Sequence, residues 1–305
     1  MSSLFDSRVK PSPPLFLPLL RGVKIILIIT LSIAVLFPVR AQEPLQRIIS
    51  LAPNITEIIF KLGGQDKLVG RTEFCFYPEV AQKIPSVGGY LNPDYEKIVN
   101  LQPDVIFIFP NLEMERKLQG FGFRVFSIPN ETIEEVLSGI RTVGKVLGLE
   151  QRANDIIQGI QDTLDQVSQT DSTRKRPSAL LGVGRENGSL KGLYAAGKNT
   201  YLGEIWKLCG GMNVFNDISI RYFNVSKEGL VTRNPDCILE FRIIPQEERE
   251  RKVPLLKSDW KELGVLDAVK EGRIYIFTER YFLIPGPRIS KIAVSFSQVL
   301  QRITQ

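Results

Sequence analysis

The sequence predicts an α/β fold of two similar lobes, with central, mostly parallel sheets joined by one long rigid helix. Three observations carry this. The first is a repeat: Glu96-Lys97-Ile98-Val99-Asn100-Leu101-Gln102-Pro103-Asp104-Val105-Ile106 returns as Glu228-Gly229-Leu230-Val231-Thr232-Arg233-Asn234-Pro235-Asp236-Cys237-Ile238. Each copy opens on Glu, carries aliphatics two and three positions later, then Pro-Asp, then Ile at the tenth position. It reads as a short helix, a turn and a buried strand, because proline cannot continue a helix and pushes the residue before it towards extended backbone.

The second observation lies upstream of each copy. Ile55, Ile58, Ile59 and Leu62 share a 3-1-3 spacing with Leu202, Ile205, Trp206 and Cys209, and both sets end at a Gly pair. That spacing is one helix face and the Gly pair a stop. The separation of the copies exceeds any solenoid period, so they read as two lobes. Unrelated helix–turn–strand units are the competing reading; two matched blocks in the same order favour lobes. The third observation is the stripe Ala153, Ile156, Ile157, Ile160, Leu164 and Val167, an amphipathic helix from Glu150 to Ser168. At helical rise it spans about 28 Å. No Gly/Ser linker interrupts it, so it should act as a stiff spine that keeps relative lobe movement small.

In chain order, Arg47–Leu51 reads as a strand, and Asn54 with Glu57 as the N-cap pair of the first helix. Lys67–Gly70 is a strand, 71–90 a loop rich in aromatics and proline, and Phe123–Phe126 a strand. Thr132 and Glu135 form a capping box for a helix ending near Gly148. After the spine and a polar run from Gln169 to Arg176 comes the strand Ala179–Leu181. The stretch Gly182–Gly188 lacks dinucleotide-loop spacing and reads as a loop that, with Tyr194 to Gly197, lines the space between the lobes. Strand Ile274–Phe277, loop Thr278–Pro287 and a helix from Arg288 to Ile303 close the chain. The expected divisions are a signal peptide at 1–41, an N-terminal lobe at 42–130, a helical spine at 131–175 and a C-terminal lobe at 176–305.

The signal peptide rests on Arg21 and Lys24 before an apolar run from Ile25 to Phe37, with Val39-Arg40-Ala41 placing cleavage before Gln42. That run is too short for a comfortable bilayer crossing; an uncleaved anchor is the alternative. The formal charge of +6 comes largely from this leader, which holds five of the 39 basic residues and one of the 33 acidic ones, leaving +2 for the rest. No nucleic-acid face follows. Cys75, Cys209 and Cys237 read as buried hydrophobes, with a Cys209–Cys237 bridge as the alternative. The chain has no His, which removes a Ser-His-Asp triad, and its cysteines lack zinc spacing. An exported enzyme such as a glycosidase would need paired carboxylates, yet Glu96 and Glu228 sit on separate lobes.

The order of motifs resembles a known family. Arg47-Ile48-Ile49-Ser50-Leu51-Ala52-Pro53-Asn54-Ile55-Thr56-Glu57, Val69-Gly70, Tyr77-Pro78, Val87-Gly88, Asn92, Glu96-Lys97-Ile98 and Gln102-Pro103-Asp104 look like the first lobe of the iron-siderophore/cobalamin class of ABC-transporter substrate-binding proteins. Cys209 to Phe215, Val225-Ser226-Lys227-Glu228, Asn234-Pro235-Asp236 and Gly286-Pro287-Arg288-Ile289 look like its second lobe. The resemblance covers the mature chain, and its wording is nearest the cobalamin binders. It implies a ligand cleft between the lobes, a monomer with no cofactor of its own, and docking of Glu96 and Glu228 on arginines of a two-fold permease dimer. It also implies a corrinoid as transported ligand, with Phe74, Tyr90, Phe109, Tyr194 and Tyr222 near the cleft, Tyr77 and Phe223 close to them in sequence, and Arg280 in the last loop. Two departures stand out: Arg280 and Ile284 replace an acid and a base of the cobalamin binders, and Ser297 faces Cys209 where the class has a disulfide. A ferric siderophore, the alternative ligand, would call for Arg185, Arg221 and Arg280 in the cleft; haem would need a Tyr axial donor.

Overall fold

The computed structural model describes residues 45–168 and 176–304. The expected signal peptide, and all but Arg176 of the polar run after the spine, lie outside the described residues. Among those residues no helix is long and apolar enough to cross a membrane.

The first lobe comprises β1 (Ile48–Ser50), α1 (Pro53–Leu62), β2 (Leu68–Arg71), α2 (Tyr95–Asn100), β3 (Val105–Ile108), α3 (Leu112–Gly120) and β4 (Val125–Ser127). Its four strands are all parallel, in the order β2-β1-β3-β4. Two helices follow, α4 (Ile133–Leu147) and α5 (Glu150–Ser168). The second lobe runs β5 (Ser178–Gly184), β6 (Tyr194–Ala196), α6 (Tyr201–Leu208), β7 (Met212–Asn213), β8 (Tyr222–Asn224), α7 (Lys227–Arg233), β9 (Cys237–Phe241), α8 (Arg249–Asp259), α9 (Asp267–Lys270), β10 (Ile274–Phe277) and α10 (Ile289–Thr304). Its sheet is ordered β10-β9-β5-β6-β8, with β7 beside β5. The β10, β9, β5 and β7 pairings are parallel, whereas β6 and β8 are antiparallel.

The repeat owes its form to one contact made twice. Gln102 and Asn234, each just before the proline, take the left-handed conformation at φ 45° and 42°, which turns the chain out of the helix. The aspartate then clamps the start of the neighbouring strand. Asp104 accepts from the Gln46 and Arg47 N–H groups at 2.8 and 2.9 Å, and Asp236 accepts from the Ser178 N–H and Oγ, both at 2.7 Å. Those backbone donors hold the Asp104 carboxyl below the usual aspartate range. The strands that follow, β3 and β9, are buried throughout.

The matched helices α1 and α6 bury Ile55, Ile58, Ile59 and Leu62, and Leu202, Ile205, Trp206 and Cys209, in one shared core. That core continues through Val136, Ile140, Ile157 and Ile160 of α4 and α5 to Ile292 and Phe296 of α10. The outer sheet faces have cores of their own, one around Ile98 and Ile106, the other around Leu230 and Trp260. The Thr132–Glu135 capping box is present, and α5 spans Glu150–Ser168 as the stripe predicts.

Some expectations are corrected. Asn54 does not cap α1: the helix starts at Pro53 on an extended Ala52 with no side-chain cap bond. Proline at the first position has no N–H to satisfy, and the Glu57 carboxylate is held by Arg288 instead. The stretch from Gly182 is not all loop, because Gly182 and Gly184 belong to β5 and pair with β6. The fourth strand starts at Val125, two residues later than its sequence suggests. All three cysteines are buried and none is in a disulfide, so no Cys209–Cys237 bridge forms. Burial pushes the Cys209 and Cys237 thiols up to about 12, which keeps them protonated.

Replacing Asp236 with Ala should lower unfolding stability by about 1.5–3 kcal/mol, the range for hydrogen bonds to a charged group. Urea titration measures it, and an unchanged midpoint would refute the clamp.

Candidate functional site

A cavity of about 530 Å³ opens between the lobes, within the roughly 300–1,000 Å³ of small-molecule sites. The first-lobe wall is aromatic because the loop 71–90 folds back over the C-terminal end of β3. Phe74 meets Tyr90 edge-on at 5.9 Å, and Tyr90 meets Phe109 at 6.2 Å, the favoured geometry for ring pairs. Phe76 joins them, with the Arg280 guanidinium 4.2 Å above its ring. Pro53 and the buried Asn54 complete this side.

The second-lobe wall is Val183 at the end of β5, Tyr201 at the start of α6, Tyr222 of β8, and Leu283, Ile284 and Pro285 of the last loop. Asn130 and Glu131, where the chain leaves the first lobe for α4, close the cavity between the walls. The Tyr201 hydroxyl donates to the Phe282 carbonyl at 2.7 Å. Burial, followed by the charge of Glu131, raises its pKa far above the usual phenol range. Tyr222 is raised too, chiefly by burial and then by Tyr201 and Glu131. Both phenols therefore stay neutral donors.

Of the residues singled out from sequence, Phe74, Tyr90, Phe109, Tyr222 and Arg280 line this cavity. Tyr194 does not: it lies on β6 opposite Asn224. Phe223 points into the second-lobe core, edge-on to Phe215 at 5.2 Å. Tyr77 lies outside the lining, under the Arg288 guanidinium at 4.0 Å. That arginine also binds Glu57 through both carboxylate oxygens, its Nε at 2.7 Å, and stacks over Tyr281 at 5.3 Å. Glu57 belongs to α1 and Arg288 immediately precedes α10, so this buried pair ties the two lobes together beside the cavity.

Two other arginines are committed elsewhere. Arg185 is buried against Glu240 at 2.9 Å and Asp259 at 2.8 Å, with Trp260 Nε1 donating to Glu240 at 2.8 Å. Arg221 pairs with Glu135 at 3.5 Å. The cavity therefore keeps Arg280 alone of the three. Glu96 and Glu228 are exposed, each in the second position of its helix, α2 or α7, behind the caps Asp94 and Ser226. Sequence reasoning passed over Glu131, Asn130, Tyr201 and the Glu57–Arg288 pair. Phe76 carried a signal in the aromatic loop; Glu131 stood beside the capping box with none.

With the geometry in place, comparison with known proteins settles the class. The periplasmic binding protein family matches residues 48–281. The chain belongs to that family. A vitamin B12-binding protein of Vibrio vulnificus is 31% identical over 282 residues, covering 89% of this chain and 97% of that one. Among solved structures, the periplasmic vitamin B12-binding protein of Vibrio cholerae is 24% identical with a TM-score of 0.71, covering 86% of this chain and 99% of the other. A periplasmic haem-binding protein from Pseudomonas aeruginosa is 23% identical with a TM-score of 0.72, covering 86% and 94%. These likenesses place the chain among exported solute-binding proteins that serve ABC importers.

Replacing Arg288 with Met should destabilise the fold by about 3–5 kcal/mol, because it leaves the Glu57 carboxylate buried without its partner. Pairing that change with Glu57→Gln should recover at least half of the loss in urea unfolding. A double variant no better than the single would show that packing, not charge, holds the site.

Proposed function

We propose that this protein captures cobalamin or a related corrinoid and delivers it to an ABC permease, with residues 1–41 serving as a signal for export cleaved before Gln42. The observation that carries the ligand class is the cavity's composition. Its first-lobe wall is a run of aromatic rings, and the arginines that a polyanionic ferric chelate would need are withdrawn into ion pairs at Arg185 and Arg221. A large, mostly neutral macrocycle with polar edges suits such a surface. The names of the vitamin B12-binding relatives support the same reading.

Haem is the second reading, favoured by the Tyr222 hydroxyl at the cavity wall, which would give up its proton to serve as an axial oxygen donor. Titration calorimetry with cyanocobalamin and with hemin on residues 42–305 separates the two. Saturable cyanocobalamin binding with little response to hemin is expected; the reverse would replace the corrinoid.

Glu96 and Glu228 serve as the docking carboxylates, one per lobe, against arginines of the permease dimer. Their exposure and matched position on pseudo-equivalent helices support this, since charges so placed set register and encounter rate more than affinity. The alternative, that each is only an anion favoured at a helix N-terminus, predicts no transport effect. The Glu96→Ala/Glu228→Ala double variant should lose stimulation of permease ATPase activity in liposomes while retaining ligand affinity. A fall in affinity with stimulation intact would reverse the assignment.

A further inference from the structure

A buried carboxylate oxygen at the cavity has no partner among the described residues. Glu131 directly precedes the capping box of α4, and its backbone is fixed from both directions: its N–H donates to Glu135 Oε2 at 2.6 Å and its carbonyl accepts from the Tyr201 N–H at 2.6 Å. The main chain at residue 131 is therefore held in place. Its Oε2 is buried and has no hydrogen-bond partner among the described residues. An unpaired buried carboxylate oxygen is costly, and such exceptions call for an explanation.

The neighbouring groups do not supply one. The Tyr201 hydroxyl is committed to the Phe282 carbonyl. Tyr222 interacts with the Glu131 carboxylate yet leaves Oε2 without a partner. Arg221, the nearby cation, is held by Glu135, and Arg280 lies over Phe76.

We propose that Glu131 is a specificity-determining residue whose carboxylate accepts a hydrogen bond from a carboxamide N–H, or a cationic N–H, at the ligand edge, and rejects a carboxylate there. Resting on the corrinoid reading, the proposal gives the amide-fringed macrocycle a defined orientation, with its donor edge at Glu131. It also explains how a site built on stacking, which tolerates any flat ring, turns away rings fringed with acids. The backbone bonds at residue 131 persist in Glu131→Gln, so that variant changes the charge and keeps the scaffold.

The test compares wild type and Glu131→Gln in titrations with cyanocobalamin, with its monocarboxylic acids (each with one side-chain amide hydrolysed), and with hemin, which carries two carboxylates. Wild type should bind at least one of the acids about tenfold or more weaker than cyanocobalamin, the scale of one hydrogen bond to a charged group. In Glu131→Gln that gap should close to about twofold. A gap of equal size in both proteins, or none in wild type, overturns the proposal. If wild type ignores cyanocobalamin, the corrinoid reading fails and the hemin arm decides for Glu131. Hemin binding about tenfold tighter in Glu131→Gln sustains the proposal; equal binding, or none in either protein, overturns it.

Discussion

Apolar burial that runs unbroken from one sheet to the other sets the spacing of the lobes, and the cavity exists because of it. Ile48 and Phe107 of the first sheet, Ile140 and Ile157 of the helices between, and Leu239 and Phe241 of the second sheet belong to a single buried cluster. Interiors are close-packed, so such a cluster resists continuous deformation. A swing of one lobe against the other would have to break contacts around α5, which packs on both α4 and α10. The Glu57–Arg288 pair adds a polar tie at the cavity's edge. Such packing favours a preformed cavity over a wide closure.

Charge is distributed to the same end. Buried ionic groups are paired with one another: Arg185 with Glu240 and Asp259, Glu57 with Arg288. Burying ions is tolerable only when their bonds are met, and in both networks they are. What remains at the cavity wall is one guanidinium on an aromatic ring and one carboxylate with an open oxygen. A ligand chosen mainly by stacking needs few such marks, and each then weighs heavily on specificity.

Two copies of a Pro-Asp turn explain why the lobes look alike. In each, a left-handed residue ends a short helix and the aspartate fastens the next strand's neighbour through its backbone N–H groups. The glutamate opening each copy takes no part in this clamp, which is consistent with a role on the outer surface.

The repeat, the amphipathic faces, the 19-residue spine and the buried strands were legible in the sequence, because periodicity and turn chemistry are local properties of the chain. Aromatic residues of the 71–90 loop were legible as a group, while their sorting was not: Phe74 and Tyr90 line the cavity, whereas Tyr77 lies under Arg288. Nothing near Arg185, Arg221 or Arg280 along the chain says which one lines the cavity. That choice depends on partners 55 and 74 residues away for Arg185 and 86 away for Arg221. The open oxygen of Glu131 is equally invisible, since being unpaired is a statement about every neighbour at once. Sequence by itself determined the repeated units, the spine and their order. The tertiary structure decided which charges were neutralised, because ion pairing depends on distances that only the folded chain defines.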